Sequence, residues 1–468
     1  MQSTSQEMTT VRAGAGEASM TKTITLIRLL TIIVTGHERA PELLMAPQIE
    51  GGANMSRNNR SLISRVKRIF AGPKRQALIQ AISSDEESIR FGKMLIPEQE
   101  GTNHFAIIGS TGSGKTTLLR LLLQSVLPRI ANRDSRALIY DAKQDALPIL
   151  SGIVDPSKVV TLNPFDTRGR AWDISKDINE PRIMEEFCQN LIPPRNESQP
   201  FFTDASRNLM YGVLLSYFLS GFTYSLGDIL RALRSRHLLY QILQRHAATR
   251  HLVENYLENS RLLSNLMPSV GTSIQPFESI AACWDHAEKS IAIRDWSKES
   301  YTLVLGNSEV SRSSIDCINR CIFKRASDVT LDQSESNTRR TWFVLDELAD
   351  AGKLSGLISL AKKGRSKGAC IALAFQSISG LRDQSLYGKY GTDELMGQIG
   401  TRFIGRLECV STAEFISQLI GEQEYVAKST SYSSGKESST TRNYSVQVRK
   451  AVLPGTLLDL KPCSKKTD

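Results

Sequence analysis

The sequence predicts an α/β fold in which a parallel sheet covered by helices is interrupted by an all-helical insertion. Three observations carry this: a strand, loop, helix alternation from about Phe91, its disappearance between about Asp177 and Glu288, and its return at Tyr301. At 468 residues the chain exceeds the usual single core, so a large domain carrying an insertion, or two domains, is expected.

Residues 1–85 are poor in periodic pattern and read as an N-terminal appendage. The apolar run Ile24 to Val34 covers 11 residues and contains Arg28, whereas a bilayer span takes about 20 apolar residues. It does not cross a membrane by itself, and it lacks the small-residue cleavage pattern of a secretory signal. The expectation is a cytoplasmic chain. Leu62, Ile63, Val66, Ile69 and Phe70 stand at helical spacing among Arg57, Arg60, Arg65, Lys67, Arg68, Lys74 and Arg75. They form either a short basic amphipathic helix that touches anionic lipid or DNA, or a plain solvated helix. Met55, an internal start, leaves open whether residues 1–54 belong to the working protein.

Residues 86–176 form the first part of a nucleotide-binding domain. His104 to Ile108 reads as a strand, followed by a Gly-rich loop and a helix from Thr116 to about Val126, with further short strands at Ala137 to Tyr140 and Val159 to Leu162. Residues 177–290 show helical periodicity only, as in Leu226 to Leu243 and His251 to Leu263. Residues 291–468 bring the second part, with strands at Tyr301 to Leu305, Trp342 to Leu345, Ala369 to Phe375 and Arg402 to Gly405. The Ser/Thr-rich stretch 427–445 is expected to be a mobile loop.

Lys and Arg number 58 against 48 Asp and Glu, a net charge of +10. This favours an anionic partner, nucleic acid before anionic membrane, with a soluble enzyme that is merely basic as the plain alternative. The seven cysteines are scattered, without CxxC pairs, and read as reduced cytosolic thiols. Cys317 and Cys321 lie one helical turn apart without a nearby His or further Cys, so no metal is assigned to protein ligands alone.

The chemistry resides in a few positions. Gly109, Ser110, Thr111, Gly112, Ser113, Gly114, Lys115 and Thr116 fit GxxxxGK[ST], after a predicted strand and at the start of a predicted helix. Glycines there let backbone N–H groups close around phosphates at a helix N-terminus, Lys115 reaches the β and γ oxygens, and Thr116 holds Mg²⁺. Trp342 to Leu345 followed by Asp346 and Glu347 supplies an apolar strand ending in two acids, the Walker B pattern. Asp346 would bind Mg²⁺ and Glu347 would polarise the attacking water; an Asp-Glu helix cap after a strand is the plain alternative. Gln376, at the end of the next strand, either senses the γ-phosphate or is an ordinary strand-end amide. The basic run Lys362, Lys363, Gly364, Arg365, Ser366, Lys367, Gly368 is expected near the nucleotide edge. It contacts DNA, sends an arginine to a neighbour's phosphate, or is a solvated loop.

Together these motifs resemble the type IV coupling proteins of the TraD and TrwB kind, themselves similar to the hexameric FtsK and HerA DNA pumps. The likeness covers about residues 88–462. It includes Phe91 to Glu98, Asp141, Asn163 to Asp166 with Gly169 and Trp172, Ile293 to Trp296, Asp346 to Ala349, Lys363 to Gly368, Gln376 with Ser377, and Thr412 to Gly421 with Glu422. It implies a RecA-like P-loop NTPase domain with an inserted all-α subdomain, and ATP contacts at Gly112, Gly114, Lys115, Thr116 and Thr117. It also implies metal and water roles at Asp346 and Glu347, γ-phosphate sensing at Gln376, and Arg365 as an arginine finger offered to the adjacent subunit of a homo-hexamer. The helical insertion would sit at the cytoplasmic mouth of the ring, where relatives meet DNA and the relaxosome.

By this resemblance the chain is an ATP- and Mg²⁺-dependent motor that docks and translocates plasmid DNA in conjugation or mobilisation. Its partners would be a relaxase and a type IV secretion channel, with peripheral contact at the inner membrane. A HerA- or FtsK-like pump for repair or segregation, which lacks a helical insertion here, is one alternative; a non-pumping nucleotide-gated relaxosome adaptor is another. Relatives carry an N-terminal membrane anchor and continue with a last strand where this chain stops, so a truncated copy is an open expectation. The turn Asp141, Ala142, Lys143, Gln144, Asp145 lacks the Pro and Gly that relatives often have, and it is assigned a structural part only.

Overall fold

A computed structural model of the chain describes residues 6–9, 88–92, 94–193, 200–308, 310–433 and 439–463. The Ile24 to Val34 run and the basic stretch from Arg57 to Arg75 lie outside the described residues. Among the described residues, no helix is long and apolar enough to cross a membrane.

Among the described residues, the centre of the fold is a sheet of seven strands: β1 (Phe105–Ile108), β2 (Ser135–Tyr140), β3 (Val159–Leu162), β4 (Thr302–Leu305), β5 (Arg340–Leu345), β6 (Ala369–Phe375) and β7 (Thr401–Ile404). Their order is β7-β1-β6-β5-β2-β4-β3, and every pairing is parallel. Strands from both parts of the chain therefore interleave. Successive side chains point to opposite faces. On one face Phe105, Ile107, Ala137, Ile139, Trp342 and Val344 meet Leu119, Leu122, Leu123 and Val126 of helix α1 (Lys115–Val126). On the other, Ile108, Leu138, Phe343, Leu345 and Leu373 share a core with Ile315, Ile318, Ile322 and Phe323, which belong to a later helix, Arg312–Leu331. With both faces covered, the strands are continuous apolar runs rather than alternating ones.

Among the described residues, the insertion holds seven helices of at least eight residues: α2 (Pro181–Leu191), α3 (Phe201–Leu219), α4 (Leu226–Arg234), α5 (Arg236–Gln244), α6 (Ala247–Tyr256), α7 (Ser260–Ile274) and α8 (Glu278–Asp285). Two stretches read as continuous helix are broken, and capping chemistry explains both. Ser235 accepts the N–H of Leu238 and restarts the chain as α5. Asn259 accepts the N–H groups of Arg261 and Leu262 at 3.1 Å each and starts α7. A polar side chain that satisfies first-turn N–H groups outweighs apolar spacing across the break.

The insertion leaves and rejoins the sheet domain at one root. Ala171–Trp172 pairs in parallel with Ser290–Ile291. Beside it Asp177, with no solvent exposure, accepts from Trp172 Nε1 at 2.7 Å and from the N–H groups of Ile293 at 2.6 Å and Arg294 at 2.9 Å, with Arg325 Nε 3.6 Å away. The helix α9 (Arg312–Leu331) carries Arg325, and its apolar side chains share the core of the sheet.

The expected mobile loop at 427–445 is instead an antiparallel hairpin, β8 (Glu422–Ser433) and β9 (Ser439–Lys450), paired from Glu422↔Lys450 to Ser433↔Ser439. Residues 434–438 lie outside the described residues. Tyr444, Val446 and Val448 supply strand-favouring side chains that a reading by composition overlooked. A further strand, Gln6–Thr9, pairs antiparallel with Val426–Ser429.

Candidate functional site

The loop from Gly109 to Gly114 leaves the C-terminal end of β1 and opens α1. Gly112 and Gly114 have φ of 75° and 91°, a left-handed conformation that glycine adopts without strain. A Cβ at Gly109 would overlap the Ser113 side chain. The loop is fastened by N–H donation from Gly109 to Phe375 O at 3.3 Å and from Ser110 to Arg406 O at 2.8 Å. The first N–H groups of α1 have no partner within their own helix, and together with the helix dipole they make an anion site.

Lys115 is buried, and its ammonium donates to Gly109 O at 2.8 Å and Ser110 O at 3.1 Å. Burial holds its pKa below the ordinary lysine value, against the raising effect of Glu347. Thr116 is half-buried and Thr111 and Thr117 are exposed, while the hydroxyl oxygens of Ser110 and Ser113 are shielded without a hydrogen-bond partner among the described residues.

The acids stand two strands away, at the C-terminal end of β5. Glu347 is 4% exposed and accepts from Gln376 Nε2 at 3.2 Å. The strand order explains this contact: β6 lies between the P-loop strand and the Walker B strand, so its terminal amide faces both. Burial raises the Glu347 pKa, opposed by the Gln376 hydrogen bond and the Lys115 charge. Asp346 differs. Its two carboxylate oxygens are shielded from solvent and accept no well-directed hydrogen bond among the described residues. A buried acceptor left short in this way fits a hydrated divalent cation, so Asp346 and Thr116 are the residues that would hold Mg²⁺. Lys115 and the α1 N-terminus would hold the phosphates.

Arg365 is not part of this cluster. The basic run was expected near the nucleotide edge, but it precedes β6 and therefore lies at the N-terminal edge of the sheet, opposite the P-loop. β6 has seven residues, roughly 20 Å of strand at about 3.3 Å per residue. Arg365 is exposed, and its charge instead reaches His104 at the start of β1, where burial is the larger cause of a lowered histidine pKa. Lys362 of the same run pairs with Glu394.

Two contacts escaped the sequence reading. Lys143, in the turn assigned a structural part only, places its ammonium 3.0 Å from Asp346 Oδ2. The signal was faint: one lysine after the strand that pairs with β5. The segment after α10 (Pro454–Leu458) also returns to the loop, where Cys463 N–H donates to Gly112 O at 3.1 Å. Nothing local in the sequence marks that contact.

A glycine loop opening a helix, an acid pair on a strand two positions away and an amide strand between them define a P-loop NTPase domain with RecA-type strand order. A sequence model of the type IV secretion-system coupling protein DNA-binding domain matches residues 88–465, and the chain belongs to that family. Coupling protein TraD of Escherichia coli (strain K12) is 25% identical over 397 residues, 79% of this chain and 51% of that protein. The chain thus spans about half the length of this curated relative. Among solved structures, the bacterial conjugative coupling protein TrwBΔN70 in its unbound monoclinic form superposes with a TM-score of 0.62 at 19% identity, covering 85% of this chain and 87% of that one. Plasmid coupling protein TrwB in complex with ADP and Mg²⁺ gives 0.58 at 19% identity, covering 80% and 84%. Both share the fold.

Proposed function

We propose that the chain is a Mg²⁺-dependent ATPase of a ring-forming coupling protein, which docks and translocates DNA in conjugation or mobilisation. The observation that carries this is the acid pair: Asp346 has shielded oxygens that accept no well-directed hydrogen bond among the described residues and have one ammonium beside them, next to a Glu347 oriented by Gln376 and facing the Lys115 charge. A divalent metal, held there, would supply charge neutralisation on the phosphates. Lys115 and the α1 N-terminus bind and orient those phosphates, Thr116 and Asp346 would hold the metal, and Glu347 orients the attacking water. Gln376 keeps Glu347 in place and reports on the γ-phosphate. Family membership and the TrwB complexes with ADP and Mg²⁺ and with an ATP analogue support the nucleotide assignment.

Arg365 serves the next subunit in this reading. At the far edge of its own sheet it is out of reach of its own phosphate, so a homo-hexamer that sets this edge against a neighbour's P-loop gives it a target. Arginine fingers are worth about 10³ to 10⁵ in rate. DNA, a relaxase and a secretion channel are the partners, with peripheral contact at the inner membrane, and the helical insertion between Asp177 and Ser290 favours the coupling-protein reading over a HerA- or FtsK-like pump.

The test is ATP turnover with and without DNA for wild type, Lys115→Ala, Glu347→Gln and Arg365→Ala. DNA should stimulate wild type, and each variant should lose turnover while Glu347→Gln still binds ATP. Mixed rings of Lys115→Ala and Arg365→Ala should recover activity that neither has alone. Slow hydrolysis that ignores DNA would identify a nucleotide-gated adaptor instead.

A further inference from the structure

Asp346 is the carboxylate assigned above to the metal, and the Lys143 ammonium already stands 3.0 Å from its Oδ2. The Asp346 side chain is 14% exposed and that of Lys143 39%, so a shielded anion is matched by a cation reaching in from the solvent side. The turn that delivers this cation is built. Asp141, buried at the end of β2, accepts the N–H groups of Asp145 at 3.2 Å and Ala146 at 3.1 Å. Between them Gln144 holds a φ of 60°, a left-handed conformation that strains any residue with a Cβ. Strain of this kind persists where the surroundings over-determine the backbone, as they do around functional groups. Lys143 is also near enough to Lys115 for the two charges to oppose each other. Two lysines therefore face two acids, and one of the four pairings occupies the metal's carboxylate.

We infer that Lys143 is a positioning residue that holds the Asp346 carboxylate and exchanges it against Mg²⁺, so that metal entry and withdrawal of this ammonium are one coupled step. A divalent cation and an ammonium repel each other, and the low dielectric of a shielded site enlarges that repulsion. They cannot both lean on the same carboxylate at no cost. Lys143 therefore sets how much Mg²⁺ is required to load the site, and keeps Asp346 aimed until the metal arrives. The inference rests on the ATPase reading.

The experiment measures binding rather than turnover. A fluorescent ADP analogue is titrated onto the full chain over a Mg²⁺ series, and separately in EDTA, for wild type, Lys143→Gln and Lys143→Arg. Lys143→Gln should lower the half-saturating Mg²⁺ concentration roughly three- to fivefold, the upper range for a partly exposed ion pair. Its affinity in EDTA should match wild type, and Lys143→Arg should restore the wild-type midpoint. A midpoint indistinguishable from wild type in Lys143→Gln overturns the inference. So does an unchanged midpoint with a large loss of affinity in EDTA, which would make Lys143 a phosphate contact. If wild type binds no nucleotide at any Mg²⁺ concentration, the ATPase reading itself fails, an outcome separate from the other two.

Discussion

Asp177 and Asp346 are both withdrawn from water, yet the fold treats them in opposite ways. Asp177, at the root of the helical insertion, is met by an indole N–H and two backbone N–H groups, with a guanidinium beyond them. Asp346, at the nucleotide edge, accepts no well-directed hydrogen bond among the described residues and has one ammonium beside it. Leaving a shielded carboxylate short of donors is costly, and natural structures avoid it unless the group has another use. One aspartate holds the chain together; the other is kept for something that arrives.

Replacing each aspartate puts that contrast at risk. Asp346→Ala should reduce ATP turnover by about 10³-fold or more, the loss of a metal anchor in phosphoryl transfer. Its unfolding free energy should stay within about 1 kcal/mol of wild type, since Lys143 returns to solvent. Urea titration checks this, and a large loss of stability would make Asp346 a structural residue. Asp177→Ala should behave in reverse, losing roughly 3–5 kcal/mol because Arg325 and three donors are left buried without their acceptor. The same titration, followed by tryptophan fluorescence, would expose a smaller role by a change below about 1 kcal/mol.

Glu347 allows a test by pH. Burial raises its carboxyl pKa above the unfolded value, so the native state binds the proton more tightly than the unfolded chain does. Its ionisation penalty is absent below the unfolded pKa, grows as pH rises to the folded pKa, and is fully present above it. Glu347→Gln removes the penalty, so its melting temperature should exceed that of wild type at pH 8 and approach it at pH 4. A difference that does not change with pH would mean that the carboxylate is fully compensated. The smallest effect is expected at the strained turn. Gln144→Gly relieves a left-handed residue worth about 1–2 kcal/mol, partly offset by the greater entropy of glycine in the unfolded chain, for a net gain of roughly 1 kcal/mol. A loss of stability would place the Gln144 side chain in an unrecognised contact.

The sequence revealed the parts of this site that are contiguous. Gly109 to Thr116 announce themselves because phosphate binding needs glycines, lysine and hydroxyl at fixed spacing on one strand-to-helix turn. Asp346 and Glu347 do so because an apolar strand of this kind ends in acids. Gln376 was placed beside the Walker B strand because consecutive strands pair. What stayed hidden depends on contacts between distant segments. Asp177 finds its backbone donors at Ile293 and Arg294, far along the chain, and Lys143 finds Asp346 only because β2 pairs with β5. Arg365 was misplaced because its position before β6 fixes the edge of the sheet only once the direction of every strand is known. In the hairpin, the alternation of Tyr444, Val446 and Val448 was present but was outweighed by the Ser and Thr around it.

The root of the insertion has a consequence for how such chains change over generations. Ala171–Trp172 and Ser290–Ile291 lie side by side, at the spacing of about 4.8 Å that neighbouring strands keep. The chain therefore leaves and re-enters the sheet domain at neighbouring points, and a helical cassette of another length could take the place of helices α3 to α8 between them. Such an exchange would leave the strand order, and the acids at its edge, as they are.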